Sequence, residues 1–183
     1  RIDGVMLERI HSNGAYEAGV YAQGFRLLDA LFMFGMIFAG LLFPIFSKQL
    51  KTSVAVVLDL VKTSANLLLG GIIIIVFVTV CNASLILGWI YDDIQDAIGP
   101  FQFLMLGFFP IGMNFIFGTL LSANGNLKIL NSISAFGIVA NISINIVLIP
   151  DYGALGAAIA TFATQGLTAI AQFLYCVQKF KIP

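Results

Sequence analysis

Residues 145–165 read NIVLIPDYGALGAAIATFATQ, and they contain a reversal between two very different apolar segments. The first segment is plain hydrocarbon and ends in Pro150, Asp151, Tyr152 and Gly153. The second restarts as a ribbon of glycine, alanine and threonine. A proline followed closely by a glycine is typical of the end of a helix and a turn. Because small side chains let helices approach closely in lipid, the ribbon predicts a helix that packs against a neighbour.

The composition of the chain is that of a membrane protein. Of its 183 residues, 60% are hydrophobic and 10% are charged, whereas a soluble domain is about half apolar and about a quarter charged. A lipid bilayer is therefore the expected environment. No basic cluster with interleaved aromatic residues is present, which argues against nucleic acid as a partner. The two cysteines and the single histidine form no spaced cluster, so we expect neither a metal nor a cofactor.

Five apolar stretches reach the length of about 20 residues that a membrane helix needs. They cover, approximately, residues 20–46, 66–91, 101–121, 129–149 and 154–177. Only the first contains charged residues, Arg26 and Asp29. Helices are expected because the strict alternation of a membrane barrel is missing. Residues 1–10 read as the end of a preceding helix, so we expect an all-α polytopic membrane protein that is cut from a longer chain.

Alternate connections between these stretches carry opposite charge. The basic loops contain six lysines and comprise residues 47–65, residues 122–128 and the tail after residue 177. The acidic loops contain five carboxylates and no lysine or arginine, and they comprise residues 11–19, 92–100 and 150–153. Since basic loops stay on the cytoplasmic side, the pattern predicts a multi-pass protein of the inner, cytoplasmic membrane with a cytoplasmic C-terminus.

Two charged residues within the first span are candidates for a binding site. Arg26 and Asp29 lie three positions apart, on one face of a helix. Ionisable groups inside a span are costly and point to function. The planar guanidinium of Arg26 is suited to hold a phosphate through two parallel hydrogen bonds. The alternatives are an ion pair between the two residues, or an Arg26 side chain that extends to the membrane surface.

Further polar candidates lie in other predicted helices. Asp3 belongs to the first, partial helix and can face the same cavity, while Asn141 and Asn145 share one face of the fourth span. Amides at membrane depth must face protein or a watery cavity. The asparagines therefore either join helices by hydrogen bonds or line a polar path. Thr161 and Gln165 in the fifth span have the same two interpretations.

Several short sequence motifs follow one another along the chain in a characteristic order. Gly19, Tyr21-Ala22, Arg26-Leu27 and Pro44 before Ser47-Lys48 span the first stretch, and RIDGVML at residues 1–7 precedes them. SANGNLK at residues 122–128 and NISINIVLIPDYGALGAAIAT at residues 141–161 come later. In order and spacing, these motifs resemble the C-terminal half of oligosaccharide flippases of the multidrug/oligosaccharidyl-lipid/polysaccharide exporter superfamily. The resemblance covers nearly the whole chain.

The resemblance implies a transporter with two six-helix lobes around a central cavity, working by alternating access. This chain would form most of the second lobe, and the missing N-terminal lobe would be its partner. The implied substrate is a polyprenyl-diphosphate-linked oligosaccharide, translocated across the cytoplasmic membrane during surface polysaccharide biosynthesis, as for the O-antigen of lipopolysaccharide. In related lipid II flippases an arginine in a similar Tyr-Ala context lines the cavity, which implies that role for Arg26. The sequence has one more residue between the alanine and the arginine.

Two other functions compete with this one. A cation-coupled multidrug exporter of the same superfamily would use cavity carboxylates, for which Asp29 and Asp3 are candidates. A membrane enzyme would need convergent acid, base or nucleophilic groups. His11 is isolated, and Asp92, Asp93 and Asp96 are typical of a solvated turn. We therefore do not expect an enzyme.

Overall fold

In a computed structural model, which describes residues 2–180, the chain folds into helices joined by short loops, with no β-strand in that range. The helices are α1 (Ile2–Ile10), α2 (Gly14–Gln49), α3 (Val54–Cys81), α4 (Ala83–Gly88), α5 (Ile98–Ala123, after a 3₁₀ turn at Gln95–Ala97) and α6 (Leu127–Phe180). Four of them, α2, α3, α5 with its 3₁₀ turn, and α6, are long and apolar enough to cross a membrane. The predicted all-α membrane class is confirmed at this level. Arg1 and Lys181 lie outside the described residues.

The longest helix, α6, folds back on itself at Gly153, where φ is 49° and ψ is −128°. On either side of this residue the chain forms two arms, residues 127–152 and residues 154–180. Asn141 Nδ2 lies 3.4 Å from Thr164 Oγ1, and a Cβ on Gly137 would lie 2.7 Å from Thr168 Cγ2. Residue 141 of the first arm therefore lies beside residue 164 of the second, and residue 137 lies beside residue 168. The two arms run antiparallel. They contain the predicted stretches 129–149 and 154–177.

Helix α5 is the centre of the bundle, because its buried residues lie on every side. Gly24 of α2 packs against Phe101, and Phe162 of the second arm lies beside Gly107. The small residues of the second arm are buried, among them Gly156, Ala157, Ala160, Thr161 and Thr164. The prediction that this ribbon packs against neighbouring helices is therefore confirmed.

The predicted second span, residues 66–91, is wrong at its end. Helix α3 ends at Cys81, because Asn82 leaves the helical conformation with φ of −115° and ψ of 28°, and the short helix α4 follows from Ala83. The Val78 carbonyl accepts both the backbone N–H of Asn82 at 3.1 Å and its side-chain Nδ2 at 2.9 Å. At its other end α3 starts at Val54, so residues 54–65, which were assigned to a basic loop, are helical.

The loops gather at two ends of the bundle according to their predicted charge. At the acidic end, Tyr16 Oη donates to Asp96 Oδ2 at 2.7 Å, and the Ala154 N–H donates to Glu17 Oε2 at 2.7 Å. At the basic end, Asn126 Nδ2 donates to Tyr175 Oη at 3.4 Å. The grouping of loops into two sets agrees with these contacts. Which end faces the cytoplasm stays a prediction.

Close packing of α3 on α5 depends on Gly112. A Cβ at this position would overlap with Ile72 Cδ1 and lie 3.1 Å from Leu69 Cδ2. We expect Gly112→Leu to push α3 away and to lower the free energy of unfolding by about 1–3 kcal/mol, the usual cost of overpacking. Thermal unfolding of the full-length protein in detergent measures this loss.

The matched control is Gly71→Leu in α3, because no described atom lies within 4 Å of a Cβ built there. This variant should unfold close to the wild-type temperature. Equal loss of stability in the two variants would show that α3 does not depend on contact at Gly112.

Candidate functional site

Three predicted site residues form one hydrogen-bonded group between α1 and the first arm of α6. Asn145 Nδ2 donates to Asp3 Oδ1 at 2.8 Å and to Asn141 Oδ1 at 3.1 Å. Asn145 is fully buried, whereas Asp3 and Asn141 are partly buried. The two amide hydrogens of Asn145 are therefore both used, one on a carboxylate and one on a neighbouring amide.

Side chains with hydroxyls connect these three residues to α2 and to the second arm of α6. Tyr21 Oη donates to Asp3 Oδ2 at 3.5 Å and lies 3.1 Å from Thr161 Oγ1. Asn141 Nδ2 donates to Thr164 Oγ1 at 3.4 Å. We call the six residues the Asp3 network: Asp3, Tyr21, Asn141, Asn145, Thr161 and Thr164. It ties together four helical segments that are far apart in sequence.

Four residues of the Asp3 network line a cavity of about 300 Å³, which we call the Asp3 cavity: Asp3, Asn141, Thr161 and Thr164. Its walls come from α1, from α2 through Phe25, and from both arms of α6, with Gln165 and Thr168 farther along the second arm. A cavity of this size with carboxylate, amide and hydroxyl groups is suited to a polar ligand or to water.

Arg26 and Asp29 lie at a second cavity of about 270 Å³, together with Gly4, Tyr21 and Phe25. Phe25 lines this cavity and the Asp3 cavity, so the two are neighbours. The structure thus joins Asp3, Asn141 and Asn145 by hydrogen bonds and places Arg26 and Asp29 next to them. The role of all five in binding a substrate stays a prediction.

Arg26 also lines a third cavity of about 300 Å³, at the acidic end. Tyr16, Tyr91, Asp93 and Asp96 contribute to its walls. Tyr16 precedes the predicted span 20–46, and its hydrogen bond to Asp96 is the main reason why the pKa of its phenol is raised to about 12. The phenol therefore stays a donor at neutral pH. Arg26, an exposed residue, stands between two cavities that both contain carboxylates.

Several polar residues of this region were not identified from the sequence as site residues, among them Tyr21, Thr164 and Asn114. Tyr21 appeared only as part of a motif, although a tyrosine deep in an apolar span needs a partner for its hydroxyl. Asn114 lies in the charge-free stretch 101–121. Its Nδ2 donates to Gln165 Oε1 at 2.9 Å and to Thr168 Oγ1 at 3.2 Å, which links α5 to the second arm.

Comparison of the chain with protein-family models, with curated proteins and with solved structures gives no match. Within residues 2–180, no group of three or more His, Cys, Asp or Glu side chains is arranged to hold a metal ion.

Proposed function

We propose that the chain forms one lobe of a two-lobe, alternating-access transporter that moves a polyprenyl-diphosphate-linked oligosaccharide across the cytoplasmic membrane. One observation carries the proposal: Arg26 is an exposed cation within an apolar helix, and it lines two adjoining cavities. Placing an arginine within a membrane span costs free energy unless its charge faces an anion or a water-filled space. The resemblance to oligosaccharide flippases supplies the substrate class.

The proposal includes five membrane crossings. At about 1.5 Å per residue, each arm of α6 is about 40 Å long, which exceeds the hydrocarbon thickness of about 30 Å. Because the arms are antiparallel, α6 would cross twice, and α2, α3 and α5 once each. Helix α1 would be the end of a preceding crossing. The N-terminal lobe would cover the open sides of the cavities at α1 and α2.

The cavities offer what a charged headgroup needs in order to leave water. A diphosphate cannot pass through hydrocarbon, because removing an ion from water costs several kcal/mol even after relaxation. Arg26 would offset part of this cost through charge-assisted hydrogen bonds. Amide and hydroxyl groups of the Asp3 network would replace water around the sugars. The polyprenyl tail would stay in the lipid.

One observation favours the second candidate, a cation-coupled multidrug exporter. The Asp3 carboxylate accepts hydrogen bonds from two neutral donors, Tyr21 Oη and Asn145 Nδ2. A carboxylate in such a place can exchange a proton or a cation as the transporter changes its conformation. This function would require Asp3 but would not require Arg26.

Cells that lack the gene distinguish the two functions. For the flippase, we expect mass spectrometry of lipid extracts to show accumulated polyprenyl-diphosphate oligosaccharide, together with loss of surface polysaccharide. Wild-type protein should restore the polymer, whereas Arg26→Ala should lower the restored export by about tenfold or more, the effect of losing a hydrogen bond to a charged group.

Arg9→Ala is the matched control, since Arg9 is equally exposed but lies near the end of α1. It should restore the polymer at equal protein level. Full rescue by Arg26→Ala would exclude a phosphate-binding role. An unchanged lipid profile, combined with drug sensitivity that Asp3→Asn fails to rescue, would establish the multidrug exporter instead.

A further inference from the structure

A row of polar side chains runs along one face of the second arm, and we call it the polar seam. It consists of Thr161, Gln165, Thr168, Gln172 and Tyr175, spaced alternately four and three residues apart. This spacing keeps them on one face of a helix. The seam extends for about 21 Å at about 1.5 Å per residue, from the Asp3 network to the basic end.

The first part of the seam already borders open space. The Asp3 cavity begins at Ile2 and Asp3 and extends to Thr168. Beyond it lies Gln172, which is 5% exposed, with its side chain against Gly118 of α5. A Cβ on Gly118 would lie only 3.0 Å from Gln172 Oε1. One residue without a side chain therefore leaves room for this amide between α5 and the second arm.

Three buried amide oxygens along this route accept no hydrogen bond from any residue between 2 and 180. They are Asn145 Oδ1, Asn114 Oδ1 and Gln172 Oε1. If these amides served only to join helices, each of their oxygens would accept a hydrogen bond, as Gln165 Oε1 does from Asn114 Nδ2. Buried acceptors without a protein partner are usually satisfied by ordered water.

Polar groups in the middle of the route and at its basic end also suit water. Thr168 Oγ1 accepts from Asn114 Nδ2 at 3.2 Å and donates to the Thr164 carbonyl at 3.0 Å, so hydroxyls of the seam both give and receive hydrogen bonds. At the basic end, Tyr175 Oη accepts from Asn126 Nδ2 in the loop between α5 and α6. Asn126 is next to solvent at the end of the bundle.

We propose that a line of internal water molecules follows the polar seam and connects the Asp3 cavity with the basic end. Through this path water from the basic end reaches the Asp3 carboxylate, whatever the cargo of the transporter. Gln172 lies between the Asp3 cavity and Tyr175, so the path must pass its side chain. The inference goes beyond the proposed function and does not depend on the lipid-linked substrate.

Water-edited solid-state NMR of the unmodified full-length protein in lipid bilayers tests the path directly. Magnetisation from water protons should reach the side-chain amides of Gln172 and Asn145 nearly as fast as that of the exposed Asn124. Phe101, which is fully buried outside the seam, should receive no detectable magnetisation from water on this timescale. If the amides of Gln172 and Asn145 behave as Phe101 does, the seam is dry and the proposal is overturned.

Cysteine reactivity provides a second test, after Cys81→Ser and Cys176→Ala remove the native thiols. Thiols react as thiolates, which form in water and not in lipid. Thr168→Cys and Gln172→Cys should react with Ag⁺ many-fold faster than Ile170→Cys and Leu174→Cys, which face outward on the same arm. Adding Gln172→Leu should slow the reaction of Thr168→Cys from the basic end. Equal rates at all four positions would contradict the path.

Discussion

Gly153→Ala is expected to lower the free energy of unfolding by about 3–5 kcal/mol, the sum of a strained backbone and a lost charge-assisted hydrogen bond. The φ of 49° with ψ of −128° is a combination that residues with a Cβ rarely adopt. The added Cβ would also collide with the carboxylate of Glu17. Displacing this carboxylate breaks its 2.7 Å hydrogen bond with the Ala154 N–H, which caps the second arm.

Chemical unfolding of the full-length protein in detergent, followed by tryptophan fluorescence, measures this effect. Gly166→Ala is the matched control, since no described atom lies within 4 Å of its added Cβ and alanine favours a helix. Glu17→Gln keeps an acceptor but removes the charge, and it should cost about 1 kcal/mol. A Gly153→Ala protein as stable as the Gly166→Ala protein would contradict the turn described for α6.

The second large effect is expected for Asn145→Leu. This change removes both hydrogen bonds that Asn145 donates, to Asp3 and to Asn141. Leucine has the branching and the number of non-hydrogen atoms of asparagine, although its methyl groups are bulkier, so the main loss is polar. The Asp3 carboxylate would keep only the long 3.5 Å contact with Tyr21 among the bonds described for it. We expect a loss of about 2–4 kcal/mol, because a partly buried charge is left poorly paired.

A double-mutant cycle identifies the cause. Replacing both partners by apolar residues can be nearly neutral, since no unsatisfied group remains. The combination of Asp3→Leu with Asn145→Leu should therefore be more stable than Asn145→Leu alone. If the double variant is less stable than the wild type by the sum of the two single effects, the two residues are not coupled. The same denaturation assay provides all four values of the cycle.

Features that depend on local sequence could be predicted, and those that depend on helix rotation could not. Pro150 and Gly153 indicated the reversal of α6, and small residues indicated the buried face of the second arm. The contact of Tyr21 with Asp3 depends on how α1 and α2 face each other. Apolar side chains on all sides of a helix leave its rotation unspecified. The end of α3 was missed because it depends on the backbone conformation of one residue, Asn82, within a stretch that stays apolar on both sides.

The sequence indicated some members of the candidate site, but it did not indicate how the site is divided into separate cavities. Charged and amide side chains in apolar stretches are few, so Asp3, Asn141 and Asn145 were found by composition alone. Their hydrogen bonds join residues up to 142 positions apart. Arg26 and Asp29 share a helix face, yet Phe25 separates their cavity from the Asp3 cavity. Only the packing of helices decides which polar groups share one space.

The bond between Glu17 and Ala154 has a consequence for the order of biosynthesis. The two residues are 137 positions apart, so α2 enters the membrane long before its partner is translated. Until then the Glu17 carboxylate stays at the end of α2, where water can reach it, and its acceptor is satisfied by solvent. Arrival of the second arm of α6 exchanges that water for a backbone N–H. The start of α2 is therefore fixed only after residue 154 has been made, and the two ends of this contact lock an early helix to a much later one.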